Sequence, residues 1–266
     1  QGGMEPNIPV GTVEGVANSM EKAVAGGRRE QEAGASGKWV AHWKMVHIVR
    51  PVWADIGQNN QLGREFLPLT YTQADADGLT ELEPAPRTIR GARNLLSVGL
   101  QYGNAFGQGF QAAALKPADF FDDDSIMYLM EDMATGEIRL SILWEWLHKG
   151  GRLNEDDAET GTKSGDLFTA ELFERLLEEE YDKLQQAKDK DVHNNSKRTT
   201  LPIAREIVET YVLATVKVPW YIDLLNINLN NYDLKVAKER IRLYMEAFKK
   251  DGTRITENLD FQPMIR

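Results

Sequence analysis

Apolar side chains recur at the three- and four-residue spacing of a helix over most of the chain after residue 86. Such spacing gathers the apolar groups on one side of each helix, which predicts amphipathic helices packed around a shared core. The same pattern occurs once near the start of the chain. The predicted helices cover residues 13–33, 89–106, 137–149, a stretch capped by Thr169, a stretch that begins at Pro202, and about 233–250.

The first third of the chain has a mixed pattern. Residues 1–12 are typical of the end of a strand that leads into a loop, and 39–43 form a short apolar, extended segment. Residues 44–56 are predicted as a short helix in which Pro51 is poorly placed. Glycine, proline and acidic residues dominate 57–86 and predict a connection. The predicted division is 1–56, the connection 57–86, and a mainly α-helical domain over 87–266.

Five glycines lie within the helix predicted over 89–106 and in the residues just after it. Each costs about 1 kcal/mol relative to alanine in an isolated helix, so their number predicts a neighbouring element that packs closely against this helix. They are Gly91, Gly99, Gly103, Gly107 and Gly109.

Large apolar residues predict which faces are buried. Four tryptophans are expected to be core aromatics, namely Trp39, Trp43, Trp144 and Trp146. In the helix predicted over 137–149, the residues expected to face inward are Ile138, Ile142, Leu143, Trp146 and Leu147.

Composition narrows the classes of function. The 266 residues carry 41 acidic against 31 basic side chains, a formal net charge of −10, which disfavours nucleic acid as a partner. There is no cysteine, so disulfides, thiolate metal sites and a thiol nucleophile are excluded. No apolar run approaches the roughly 20 residues of a membrane-spanning helix, so no membrane partner is expected.

Candidate metal and phosphate sites are weak in this sequence. The four histidines, His42, His47, His148 and His193, are scattered rather than paired at metal-ligand spacing, and no strand–GxxxxGK–helix phosphate loop occurs. The acidic run 122–124 could hold a cation, but an exposed, solvated loop is the favoured interpretation.

Two adjacent carboxylates, Glu131 and Asp132, stand between an apolar stretch and a predicted helix. A carboxylate on a partly buried loop can have its pKa raised by desolvation and act as a general base. The residues alone favour a simpler alternative, in which Asp132 or Thr135 caps the helix and Glu131 or Glu137 interacts with the helix dipole.

Several segments nevertheless resemble one family. Residues 129–137 (LMEDMATGE), followed by 143–148 (LWEWLH), closely resemble a signature of the malate synthases. Further similar segments follow the family's order over residues 2–185. They are Gly2-Gly3-Met4 with Ile8-Pro9, residues 37–42 (GKWVAH), Asn60-Gln61, Arg93-Asn94 with 97–102 (SVGLQY), and 168–173 (FTAELF) with 177–180 (LEEE).

The chain also departs from the family pattern at several positions. Gly27 stands where the family has a lysine, and Trp43 replaces the proline that follows His42. Ala35 and Ser36 replace a His-Asp pair, and within the signature Met133 and Gly136 replace alanines. None of these changes removes Asp132.

The resemblance implies a (β/α)8 TIM barrel with a C-terminal helical plug. Residues 1–56 would be the tail end of the barrel, with its last strand and helix, and 87–266 the plug, with the catalytic loop at 125–137. It implies condensation of acetyl-CoA with glyoxylate, then thioester hydrolysis to malate and CoA, as in the glyoxylate bypass. Asp132 would be the general base, and Met130 and Glu131 would contact substrate.

The family's cofactor is Mg²⁺, and its ligands belong to barrel segments that precede the GGM motif. No metal ligand is therefore expected within residues 1–266, and these residues alone are expected to be inactive. The last residues, 263–266, do not match the SKL-type peroxisomal signal, so the cytoplasm is the expected location.

Two alternatives compete with this interpretation. The first is a non-catalytic, malate-synthase-like helical interaction module, favoured by the missing metal ligands. The second is another acyl-CoA or citrate-lyase-like barrel enzyme, disfavoured because those relatives lack the LMED segment and the plug.

Overall fold

The computed structural model divides the chain into two compact units. The first comprises Gln1–Pro86 and Leu115–Met130, and the second comprises Arg87–Ala114 and Glu131–Arg266. The structure describes residues 5–9, 11–57, 59–65, 70–81, 85–108, 112–115, 129–186, 200–218, 224 and 234–251, and it describes only the backbone at 55, 112–114, 129–133 and 247–251.

The first unit begins with a long helix, α1, at Val13–Glu32. The Thr12 hydroxyl accepts a hydrogen bond from the Gly15 amide (3.1 Å) and caps the helix, which confirms the helix predicted over 13–33. Gly26 and Gly27 are both buried within this helix. A Cβ at Gly27 would lie 3.4 Å from the Trp53 ring, so the indole occupies the space beside this glycine.

The helix predicted over 44–56 is mostly not an α-helix. Only Val46–Val49 (α2) is α-helical, between 3₁₀ turns at Trp43–Met45 and Arg50–Ile56. Pro51 accounts for the difference, because it lacks the amide hydrogen that would continue the α-helical pattern and stands at the start of the second 3₁₀ turn.

A short helix, α3 at Gln73–Gly78, lies within the stretch predicted as a connection. Thr72 and Asp75 form a reciprocal capping box at its start, since each side chain bonds the backbone amide of the other residue. This local signal was present in the sequence and outweighs the surrounding glycines and prolines.

Trp39 and Trp43 were wrongly predicted as core residues, since they are 58% and 72% exposed. The small core of the first unit contains Ala23, Met45 and Val49, with Val40 and Trp53 packed against it. Neighbouring side chains in extended backbone point to opposite sides, so the inward position of Val40 directs Trp39 outward. Trp43 instead stacks on His42, with 5.8 Å between ring centroids.

Gln61 holds together the segment that follows α1. Its side-chain amide donates to the carbonyl oxygens of Gln31 (2.8 Å) and Ala35 (2.7 Å), and its backbone amide donates to the Ser36 hydroxyl (2.9 Å). The segment that carries Asn60-Gln61 therefore contacts the position where Ala35 and Ser36 depart from the family pattern.

The second unit is built from helices, together with parts of two short strands, residues 112–114 and 131–132. Helix α4 is central, since every residue from Leu95 to Phe106 is buried and α4 packs against α5, α6 and α7. The mainly α fold class is confirmed. The elements are α4 Ile89–Gly107, β1 Ala112–Leu115, β2 Leu129–Asp132, α5 Met133–His148, α6 Ala170–Gln186, α7 Leu201–Leu213 and α8 Leu234–Asp251.

Threonine side chains cap two of these helices, α4 and α6. The Thr88 hydroxyl accepts from the Gly91 amide (2.9 Å), and the Thr169 hydroxyl accepts from the Leu172 amide (3.2 Å). The predicted cap at Thr169 is confirmed.

The glycines of α4 permit close helix packing, as predicted. A Cβ at Gly99 would lie 2.8 Å from Leu140 Cδ2, and a Cβ at Gly107 would lie 2.8 Å from the Thr200 hydroxyl oxygen. The Thr200 hydroxyl lies close enough to bond the backbone oxygen of Asn104 (2.8 Å). Gly109 lies outside the described residues.

Substituting Gly99 with alanine is expected to destabilise the second unit by about 1–3 kcal/mol, because fully buried Leu140 must move to admit the new methyl group. Gly78→Ala is the matched helical control. Nothing lies within 4 Å of its added Cβ, so it should be neutral or slightly stabilising. Urea unfolding midpoints of the two variants measure the difference, and equal midpoints would contradict close packing at Gly99.

Candidate functional site

Asp132 lies at a junction between two regular elements. It is the last residue of β2, which pairs with β1, and Met133 is already the first residue of α5. Residues 129–137, which the resemblance assigned to the catalytic loop at 125–137, therefore lie in regular structure. Because helix α5 begins four residues earlier than predicted, Asp132 rather than Thr135 occupies the position immediately before the helix. The side chains of residues 129–133 lie outside the described structure.

On helix α5, Glu137 rather than Ile138 faces the neighbouring parts of the protein. Ile138, predicted to face inward, is 60% exposed, whereas Glu137 is only 8% exposed and Leu140 and Leu143 are fully buried. Adjacent helical residues differ by roughly 100° in direction, so an inward Glu137 leaves Ile138 toward solvent. The prediction counted only apolar residues as inward, and Glu137 is buried through polar contacts.

Glu137 is held by a small group of side chains, here called the polar clamp: Glu137, Ser141, Tyr211 and Lys217. The Tyr211 hydroxyl donates to Glu137 Oε1 at 2.5 Å, and the Ser141 hydroxyl donates to the same oxygen at 3.3 Å. The Lys217 ammonium nitrogen lies 3.6 Å from that oxygen. Three groups from α5, from α7 and from the chain just after α7 therefore converge on one carboxylate oxygen.

The clamp contains a tyrosine that stays protonated. Burial, followed by the hydrogen bond to Glu137, raises the pKa of Tyr211 well above its ordinary value, although the Ser141 contact works in the opposite direction. At neutral pH the hydroxyl is therefore available as a donor to Glu137.

The opposite end of α5 has its own attachment to α7. The Trp144 ring nitrogen donates to the Ala214 carbonyl oxygen (2.8 Å), and His148 Nε2 lies 2.9 Å from the Val212 carbonyl oxygen. Trp144 and Trp146 are half-buried, and Trp146 meets Phe168 edge-on with 5.6 Å between centroids. These two tryptophans thus pack partly inward, unlike Trp39 and Trp43.

Two of the segments that resemble the family meet at Arg93 on α4. Its guanidinium donates to Glu179 (2.6 Å) and to Glu180 (3.0 Å) on α6, and lies 3.2 Å from Glu159. The Arg93 and Glu180 side chains are 12% and 4% exposed, so this pair is largely removed from water. The Arg93-Asn94 and LEEE segments therefore form one structural contact across 86 residues of chain.

The described residues offer no ready metal site. Among them, no group of three or more His, Asp or Glu side chains is arranged to hold a metal ion. The acidic run 122–124, predicted as an exposed loop, lies outside the described part of the chain. In the same described part, no helix combines the length and the apolar character needed to cross a membrane.

Sequence reasoning missed two contributors to this region. Tyr211 was not singled out within the helix predicted to begin at Pro202, and Glu137 was predicted only as a possible partner of the helix dipole. A buried glutamate has no distinctive spacing, and its partners Tyr211 and Lys217 lie 74 and 80 residues away in the chain, so no local pattern could have joined them to it.

Comparisons with known proteins identify the family. A family model described as "Malate synthase, C-terminal" matches residues 87–224, more than half of the chain. A malate synthase of Myxococcus xanthus is 32% identical over 187 residues, which cover 69% of this chain and 30% of that protein.

Two further relatives are also malate synthases. A malate synthase of Dictyostelium discoideum is 29% identical over 84% of this chain and 37% of its own length. A glyoxysomal malate synthase of Brassica napus is 30% identical over 71% of this chain and 31% of its own length. The chain thus spans roughly a third of the length of these relatives, and it belongs to the malate synthase family.

Proposed function

We propose that the complete gene product containing this chain condenses acetyl-CoA with glyoxylate and hydrolyses the resulting malyl-CoA to malate and CoA, with Asp132 as the general base. The observation that carries the proposal is family membership over residues 87–224, the region that contains Asp132. The position of Asp132 at the end of β2, directly before α5, supports it, because a site held by two regular elements is better defined than one on a free loop.

The chemistry requires a well-placed base. The methyl group of a thioester is a very weak acid, so its deprotonation needs a positioned carboxylate and stabilisation of the enolate. In the proposed reaction the methyl proton passes to the Asp132 carboxylate, and the enolate carbon forms a bond to the aldehyde carbon of glyoxylate. The C=O π bond of the aldehyde opens at the same time, and the resulting alkoxide takes up a proton to become the hydroxyl of malyl-CoA. Water then cleaves the thioester and releases CoA. Met130 and Glu131, which precede the base, are proposed to contact substrate.

Mg²⁺ belongs to the proposal through the family resemblance. When bound, it would polarise the glyoxylate carbonyl. Its ligands are proposed to lie outside residues 1–266, and the barrel that would carry them is proposed to end within residues 1–56. Chelation of the metal should therefore abolish turnover by the complete gene product.

The test compares two preparations. The purified complete gene product, given acetyl-CoA, glyoxylate and Mg²⁺, should release CoA and form malate, measured by thiol titration and by chromatography. Residues 1–266 expressed alone should release none, because they lack the proposed metal ligands. Turnover by the fragment would overturn the proposed location of the metal site.

The same assay addresses the alternative of a non-catalytic, malate-synthase-like interaction module. If the complete gene product binds neither substrate in calorimetry and forms no malate, the enzyme proposal is rejected in favour of that module.

The cytoplasm is the proposed location. Because the Brassica napus relative is named as glyoxysomal, microscopy of the tagged complete gene product should distinguish a diffuse signal from a particulate one.

A further inference from the structure

Glu137 is the last residue of the LMEDMATGE segment, and the proposed reaction gives it no role. It is nevertheless one of the few buried carboxylates among the described residues, with three polar groups directed at one of its oxygens. Burying a carboxylate is costly unless its hydrogen bonds are satisfied, and an apolar residue at this position of the helix would avoid that cost. The presence of a buried glutamate here therefore needs an explanation.

The backbone connects Glu137 to Asp132 without a flexible spacer. Asp132 ends β2 and Met133 starts α5, so no loop residue separates them. Glu137 stands five residues after Asp132, about 7.5 Å along the chain direction at the helical rise of about 1.5 Å per residue. A helix moves as a rigid segment over this distance, so a rotation or slide of the first turns of α5 must displace the backbone of Asp132.

The polar clamp restrains that motion. Tyr211 is fully buried on α7, and its hydroxyl bonds Glu137 at 2.5 Å, while the Ser141 hydroxyl contacts both Glu137 and Tyr211 (3.0 Å). Lys217 adds a positive charge on the solvent side, with its side chain 37% exposed. Hydrogen bonds are directional, so they fix the rotation of α5 about its axis, which apolar packing alone fixes less sharply.

We propose that Tyr211, with Ser141 and Lys217, is a positioning residue that acts through Glu137 to set the placement of the Asp132 base. The inference rests on the proposed function for the role of Asp132, but the geometric part, that the clamp orders residues 129–137, stands by itself. The clamp residues do not touch the reacting atoms in this proposal.

The alternative is a role in stability alone, and the chain offers a matched control for it. Trp144 also links α5 to the end of α7, through its bond to the carbonyl of Ala214, the residue that follows α7, but Trp144 stands 12 residues after Asp132. Tyr211→Phe removes one donor at the end of α5 near Asp132, whereas Trp144→Phe removes one donor at the far end. A stability role predicts similar consequences for both variants.

In the complete gene product, Tyr211→Phe should lower kcat by about 10–100-fold, because a displacement of about 1 Å at a reacting group is enough for such a loss. The KM for acetyl-CoA should change little. Trp144→Phe should lower the melting temperature but keep kcat within about threefold of the parent enzyme, since it leaves the transition-state contacts in place. Glu137→Gln, which keeps an acceptor oxygen for Tyr211 but loses the charge near Lys217, should fall between the two.

Amide hydrogen exchange gives a readout independent of activity. Amide hydrogens of peptides covering residues 129–137 should exchange faster in Tyr211→Phe than in the parent protein, and at the parent rate in Trp144→Phe. The exchange rates of α6 should be unchanged in both variants. Equal losses of kcat in the two variants, or unchanged exchange in Tyr211→Phe, overturn the clamp. If the parent protein shows no turnover, the proposed function fails, and the exchange data still decide the clamp. Should Tyr211→Phe not fold, Glu137→Gln carries the same comparison.

Discussion

Replacing Asp132 with asparagine should lower kcat of the complete gene product by about 10²–10⁴-fold, the usual contribution of a positioned general base. The amide keeps the size of the carboxylate but cannot take up the methyl proton. The measurement is steady-state CoA release, together with the loss of deuterium from methyl-deuterated acetyl-CoA to solvent. The loss of deuterium reports proton abstraction separately from the later steps.

Asparagine also separates the catalytic interpretation from the capping one. Asp132 precedes the first residue of α5, where asparagine caps a helix about as well as aspartate does. The melting temperature should therefore be unchanged in Asp132→Asn, and Asp182→Asn, at an exposed position on α6, serves as a control for loss of a carboxylate. Near-normal turnover by Asp132→Asn would leave capping as the only role of the residue.

Replacing Arg93 with methionine should cost about 3 kcal/mol of stability, toward the lower end of the range for breaking a buried ion pair. The loss leaves Glu180, with its side chain 4% exposed, without its partner from α4. Lys183 remains at 2.8 Å and moderates the effect. Urea unfolding monitored by circular dichroism measures the change, and Arg93→Lys should recover only part of it, because lysine cannot reach Glu179 and Glu180 together.

Arg242 provides the matched control. It forms two ion pairs on α8, with Glu239 at 2.6 Å and Glu246 at 2.5 Å, but its side chain is 51% exposed. Exposed ion pairs contribute little to stability, so Arg242→Met should leave the unfolding midpoint unchanged. If both arginine variants lose the same stability, burial is not what makes Arg93 important.

The sequence predicted the helices well wherever apolar spacing and a cap coincided. Thr12, Thr88 and Thr169 stand at helix starts, and the helices that follow them lie close to their predicted bounds. The predictions were wrong where a local constraint competed with the pattern, as at Pro51, which forces a 3₁₀ turn, and at the Thr72–Asp75 capping box, which starts a helix inside a polar stretch.

Burial was predicted correctly for the close-packed glycines but not for paired polar residues, and three large apolar residues predicted to be buried, Trp39, Trp43 and Ile138, are exposed. Gly99 and Gly107 were correctly assigned to close packing, because a glycine inside a helix is costly unless a neighbouring element uses the space that it leaves. Glu137 and Glu180 are buried through partners distant in the chain, which single-residue patterns do not contain. The role proposed for Asp132 came from the family resemblance alone, because the local pattern of a catalytic carboxylate and that of a helix cap are the same.

The contact between Gly99 and Leu140 also bears on how this domain changes through evolution. The two residues compete for the same space, because a methyl group added at Gly99 would overlap the side chain of Leu140. A larger residue at 99 or a smaller one at 140 is harmful alone, yet the two together restore the packing. We expect these positions to covary among relatives, so that an alanine at one is tolerated only in lineages that have already changed the other.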